Sequence, residues 1–291
     1  MVENRESVTA LICAWVRAWH SNTERHKIFD DYLAYDFMGK ENYDSVKEFI
    51  QDLAGTNQIE EFVKKYFAPI PLSRLPFTEQ RLQKFIQQGG TQYVICGAGA
   101  DMFSFRNENP DLQIFEIDHP DTQRYKLDKI HELEWNIPEN VRFVPVDFEK
   151  ETMTEKLLSK GFDPNKKTFF SILGVSYYLT LPVFAETLRQ IAELSALESV
   201  LVFDYPQAGN NFPERVHELE AITANLGEVM SGGFHYNEVS RALYSLGFQI
   251  DTFLTPEKVQ NAYFADRTDG MKAFENVNLL SATYTSGRNY E

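Results

Sequence analysis

The stretch TQYVICGAGADMFSFR, residues 91–106, carries Gly97 and Gly99 where an apolar run passes into a loop. Without side chains they let backbone come close to a ligand, and a helix following such a loop aims its first amides at the same point. No Gly-Lys-Ser/Thr follows, so this is not a loop built to cradle a nucleoside triphosphate. The third glycine of a dinucleotide fingerprint would fall on Met102, whose side chain disfavours close helix–strand packing under a pyrophosphate. Asp101 sets an anion beside the glycines, which suits an ammonium or sulfonium better than a pyrophosphate. Glu116 and Asp118 in FEID lie roughly twenty residues beyond the loop, where a carboxylate accepts ribose hydroxyls. In VPVDF, Asp147 can accept an adenine amino group and Phe148 can flank the ring. Together these residues favour adenosine with a cationic amino-acid tail, so S-adenosylmethionine is the expected cofactor.

Tyr177 and Tyr178 are the candidate catalytic residues, since a phenol can hydrogen-bond an acceptor or face a sulfonium through its ring. Asp204 and Tyr205 are placed near the substrate side with less weight, and His119 beside Asp118 is a further candidate pocket residue. The histidines show neither HExxH nor a paired i, i+4 spacing, so no metal is expected. SGGF, residues 231–234, reads as an adjustable loop or a plain turn.

These residues need a scaffold that gathers them at one end. Short apolar runs at YVIC, LQIFEID, VRFVPVD, FFSILGV and SVLVFDY alternate with helix-compatible stretches, the pattern of βαβ units in a parallel sheet. FQIDTFL and NVNLLSATY bring the strands to seven, with helices expected at YNEVSRALYSLG and from about Pro256. Ligands of such a sheet bind at the carboxyl ends of its strands near the switch point, where the residues above fall. The first ninety residues read as helices: SVTALICAWVRAWHS, ENYDSVKEFIQDLA, NQIEEFVKKYF and FTEQRLQKFIQQGG. The expected organisation is a helical N-terminal cap over residues 1–90 and an α/β cofactor-binding domain over 91–291.

A net charge of −15 argues against a nucleic-acid partner held by phosphate neutralisation. The two cysteines, Cys13 and Cys96, form no disulfide framework and fit a reducing compartment. No apolar run is long enough to span a membrane and the N-terminus lacks the features of a signal peptide, so a soluble cytoplasmic protein is expected. Composition sets no oligomeric state.

The order of VTALICAWVRA, IFDDYLAYDFMG, RLPFTEQRL, YVICGAGADMFSFR, FEIDHP, VPVDF, GVSYYLT and LVFDYP resembles the leucine carboxyl methyltransferase family, and within it the bacterial branch with polyketide carboxyl O-methyltransferases. The resemblance implies the class I methyltransferase fold, a Rossmann-like, mostly parallel seven-stranded sheet with one reversed strand. It implies cofactor contacts by Gly97, Gly99, Asp118, Asp147 and Phe148, and assigns Arg74 to the methionine carboxylate of the cofactor. A guanidinium suits that partner because it pairs with a carboxylate in a bidentate fork. Two positions depart from the family pattern: Met102 stands for a usual Thr, and Leu173 for a usual Glu before Gly174. Either Asp101 takes over the ammonium contact or the cofactor binds with a different tilt. The implied activity is methylation of a small-molecule or peptide carboxylate, in which an ionised acceptor needs no general base.

Leu173, with the polar Tyr177, Tyr178 and Asn140, leaves open an alternative on the same fold. In it the methionine amine attacks its own γ-carbon, giving azetidine-2-carboxylate and methylthioadenosine. A non-catalytic cofactor-binding protein and methylation of a phosphatase tail are the remaining readings.

Overall fold

The computed structural model describes residues 8–55, 58–147, 151–231 and 233–286. Seven strands form one sheet: β1 (Gln92–Cys96), β2 (Gln113–Asp118), β3 (Val141–Pro145), β4 (Thr168–Ile172), β5 (Val200–Pro206), β6 (Phe248–Leu254) and β7 (Val277–Tyr284). Their order is β3-β2-β1-β4-β5-β7-β6. The β5–β7 and β6–β7 pairs are antiparallel and the rest parallel, so β7 is the reversed strand. All seven expected strands are present. The order reverses between β1 and β4, and that switch point puts the end of β1 next to the end of β4.

The strands are buried on both faces, as their apolar runs require. Tyr93, Ile95 and Phe169 pack on one side with the N-terminal helices, while Val94, Cys96, Phe170 and Ile172 pack on the other. That second side is covered by α7 (Met153–Ser159), α8 (Leu181–Leu194) and α10 (Tyr236–Ser245), through residues such as Leu157, Phe184, Leu188 and Leu243.

The N-terminal helices are α1 (Val8–Thr23), α2 (Ala34–Ala54), α3 (Ile59–Phe62), which runs on as a π turn to Phe67, and α4 (Pro69–Gln87). Helix α4 starts two turns earlier than the sequence suggests. Pro69 and Pro71 sit in the first turn, where no amide donor is needed, and Pro76 is carried in the interior. Hydroxyls of Ser73 and Thr78 bond back to the carbonyls of Pro69 and Arg74. The extra turns bring Arg74 into a helix that lies on β4, β5 and β7. Leu72 and Phe77 of α4 share a continuous apolar core with Trp15 of α1 and Leu279 of β7.

After β1 the chain makes only a single helical turn, α5 (Phe103–Arg106), before β2. Helix α6 (Pro120–Glu132) follows β2. A further helix, α9 (Glu214–Asn225), falls outside the stretches read as helical, and α11 (Pro256–Val259) passes into a π turn ending at Phe264.

Candidate active site

Strand β1 delivers Gly97 and Gly99 to the switch point with φ values of +76° and +48°. At Gly97 a Cβ would lie 2.5 Å from the Val175 side chain, so glycine is required by close packing as well as by conformation. The amides of Gly97 and Ala98 both donate to the carbonyl of Ile117 at the end of β2. Gly99 N–H donates to Asp118 Oδ2 at 2.5 Å, and His119 N–H to Asp118 Oδ1 at 2.7 Å. Burial raises the Asp118 pKa above its ordinary value, opposed by these two amides. Each carboxylate oxygen keeps a lone pair, so the group is oriented by the loop and can still accept ribose hydroxyls.

The other acid of FEID has a different fate. Glu116 is fully buried, paired with Lys126 Nζ at 2.5 Å and accepting from Ser104 Oγ. It is a structural anchor, because β2 continues for one more repeat before opening to the site. Lys126 also donates to the Asp101 carbonyl at 2.5 Å. The Asp101 side chain caps α5, accepting from Phe103 N–H at 2.7 Å. The expected helix N-terminus aimed at the ligand is therefore absent here: the helix is one turn long and its Phe103 amide is used by Asp101. Met102 is completely buried with Phe37 and Ile130 in a small apolar nest.

On the β4–β5 side, Asp204 is the centre of the arrangement. It is fully buried; its Oδ1 accepts from Gly174 N–H at 2.7 Å, and its Oδ2 from Tyr177 Oη at 2.8 Å and Arg74 Nη1 at 3.3 Å. The Arg74 guanidinium lies flat against Gly174: a Cβ there would be 2.6–2.9 Å from its atoms. Burial works against the Arg74 charge, but Asp204, Cys13 and Tyr177 together hold the pKa above the ordinary value. Arg74 Nε is buried without a hydrogen-bond partner. A planar cation with a spare donor, held at the switch point, fits a carboxylate such as the methionine end of the cofactor.

Tyr177 is buried with its hydroxyl on Asp204; burial, then Asp204, push its pKa well above the phenol range. It braces Asp204 and through it Arg74. Tyr178 bonds Thr9 Oγ1 at 3.0 Å and Glu228 at 3.2 Å, and Thr9 Oγ1 also donates to Glu228. Ser231, from the SGGF segment, donates its amide to the Tyr177 carbonyl and its hydroxyl to that of Tyr178, which ties this segment to the site. Gly232 lies outside the described residues.

Helix α1 roofs this region with a stripe of residues four apart. Thr9 meets Tyr178, the Cys13 sulfur lies 4.0 Å from Arg74 Nη2, and Arg17 donates to the Ala100 carbonyl at 2.5 Å. Arg17 also pairs with the buried Asp31 at 2.8 Å, and Arg106 lies 3.0 Å from the other oxygen of Asp31. That second pair is close but not aligned for a hydrogen bond, and Arg106 turns its main hydrogen bond to Glu79 at 2.6 Å. These buried pairs outrank surface pairs such as Arg189–Glu186, since removing one buried partner strands a charge at a cost of about 3–5 kcal/mol, whereas an exposed pair is screened by solvent.

Gly97, Gly99, Asp101, Asp118, Arg74, Tyr177 and Tyr178 thus lie on the loops and helices at one end of the sheet. Asp147 follows β3 at the same end, with its amide 3.3 Å from Glu151. Phe148 lies outside the described residues. His119 caps α6, its ring accepting from Asp121 N–H. Asn140 precedes β3 and donates to the Leu112 carbonyl, at the opposite end of the strands, so it takes no part in this site. Among the described residues no cluster of metal-ligating side chains occurs. Sequence reading underrated Asp204 and missed Thr9, Arg17 and Glu228. The period-four polar stripe in the otherwise apolar α1 is the signal that could have found the first two.

The sheet order and the glycine loop at its switch point define a class I methyltransferase fold. In keeping with this, a structure described as "a putative methyltransferase from Thermobifida fusca" superposes with a TM-score of 0.57 at 12% identity, covering 98% of this chain and 97% of that one. A DUF574-family protein from Streptomyces avermitilis gives 0.62 at 12% identity over 97% and 99%. Residues 10–192 match the family model "Leucine carboxyl methyltransferase", and the chain belongs to that family. It is 36% identical to "Putative S-adenosyl-L-methionine-dependent methyltransferase YktD" of Bacillus subtilis, over 97% of this chain and 99% of the relative. A similarly described protein of Frankia alni is 26% identical over 68% of each chain. The chain is a methyltransferase that uses S-adenosylmethionine. Among the described residues no helix is long and apolar enough to cross a membrane.

Proposed function

We propose that the protein O-methylates a carboxylate of a small molecule or peptide. One observation carries this reading: Asp204, Tyr177 and Tyr178 are already bonded to protein partners, and Asp204 is tied to Arg74. Such a site suits an acceptor that arrives ionised and gives up no proton. When bound, S-adenosylmethionine supplies a methyl group on a sulfonium. Asp118 would accept the ribose hydroxyls, Asp147 and Phe148 would hold the adenine, and Gly97 and Gly99 would allow close approach. Arg74 would hold the methionine carboxylate, and Asp101 is proposed for the ammonium through the oxygen that does not cap α5.

Residues 1–90 serve in this reading as the cap of a cofactor-binding domain formed by 91–291. Helix α1 closes the site from above with Thr9, Cys13 and Arg17, and so excludes water from an in-line displacement. Acceptor negative charge and cofactor positive charge cancel during transfer, which a poorly solvated pocket favours.

Leu173 gives a second reading its support. It is half-buried against the apolar core just after β4, so the end of that strand offers the cofactor amine no carboxylate at that position. In this reading Asp101 does not hold the amine, which, once deprotonated, acts as the nucleophile of the cyclisation and expels methylthioadenosine. Products separate the two readings: adenosylhomocysteine formed only with an added carboxylic acid supports methyl transfer, and methylthioadenosine formed without acceptor supports cyclisation.

A further inference from the structure

We infer that Arg17 is a positioning residue for cofactor binding, holding the glycine loop in its binding shape from the roof of the site. The loop is gripped at three consecutive points. Asp118 takes the Gly99 amide at 2.5 Å, Arg17 takes the Ala100 carbonyl at 2.5 Å, and Lys126 takes the Asp101 carbonyl at 2.5 Å. Two of these grips come from β2 and α6, elements of the sheet domain. The third comes from α1, more than eighty residues earlier in the chain. It ties the stripe on α1 directly to the segment that orients Asp118.

The geometry of the guanidinium makes the tie stiff. Its Nε is spent on Asp31, itself 1% exposed, and its Nη2 is spent on Ala100. One planar group therefore fixes the carbonyl relative to a buried anion through two donors in a rigid fork, whereas Lys126 serves Glu116 and the Asp101 carbonyl through a single atom. Turning the Ala100 carbonyl would rotate the adjoining peptides and move the Gly99 amide off Asp118. Asp118 would then lose the orientation in which its free lone pairs face a ribose.

This inference rests on the cofactor placement proposed above, and its test keeps the two separable. Arg17→Lys retains a charge for Asp31 but loses the two-donor fork that holds the Ala100 carbonyl in line with it; Arg17→Met with Asp31→Asn removes the buried pair together. Calorimetric titration with adenosylhomocysteine and with methylthioadenosine, which lacks the amino-acid tail, reads the two halves of the site. Arg17→Lys is expected to melt near the wild type and to bind both ligands weaker by a similar factor, roughly tenfold. Arg74→Ala is expected to weaken adenosylhomocysteine alone. Amide exchange at residues 98–102 should speed up in Arg17→Lys without ligand. Unchanged affinity for both ligands in folded Arg17→Lys, or in the folded double variant, overturns the inference, as does a loss confined to adenosylhomocysteine. A wild-type protein that binds neither ligand overturns the cofactor placement itself.

Discussion

At the scale of single residues, the site is a set of charges fixed by backbone and by one another. Asp118 depends on two amides, so Asp118→Asn should weaken cofactor binding by roughly ten- to a hundredfold while changing the melting temperature little, as read by calorimetry and thermal denaturation. The raised pKa of Asp118 adds a pH dependence to binding. Its charged form is the acceptor, so affinity should fall on acidification from a pH somewhat above the ordinary aspartate range. In Asp118→Asn that fall should vanish. The two acids of FEID show what was readable and what was not. Residues two apart on a strand share a face, so Glu116 and Asp118 look alike until the end of β2 is known. Arg74 was visible only through family resemblance, because its burial comes from turns of α4 that three prolines disguise.

At the scale of elements, α1 and the strand ends depend on positions that admit little change. Gly174 has φ +72° and the Arg74 guanidinium within 3 Å of its missing Cβ. Gly174→Ala should cost about 1–3 kcal/mol in stability and also push Arg74 aside. The readouts are a lower melting temperature and a smaller stabilisation by adenosylhomocysteine. At the far end of α1, His20 is fully buried and its Nε2 accepts from Ile28 N–H at 2.9 Å, which requires a neutral ring. Burial lowers its pKa from 6.5 to about 4. The unfolded chain therefore binds the proton first, and stability is lost as pH falls from about 6.5 through about 4. The full loss is about 3 kcal/mol. Urea denaturation across that window should show it, and His20→Gln should be less stable at neutral pH but flatter in acid. Most elements were legible because strand runs and helical spacing are strong periodic signals. Helix α9 was not, since its buried face is thin, with Val216, Leu219 and Thr223 among charged neighbours.

At the scale of the whole molecule, the first ninety residues and the sheet meet across one site. The α1 stripe reaches Tyr178, Arg74 and Ala100, which belong to three different segments. Fold class and cofactor were readable because a switch point collects scattered motifs at one end of the strands. The roof was not, because which helix face looks down on the sheet is a tertiary property. Carboxylate methylation is the central claim, and it is tested most directly by incubating the protein with methyl-labelled S-adenosylmethionine and a panel of carboxylic acids. The account predicts adenosylhomocysteine only when an acid is present, and label released as methanol on mild alkaline hydrolysis. Methylthioadenosine without any acceptor, or a methylated product stable to base, would contradict it.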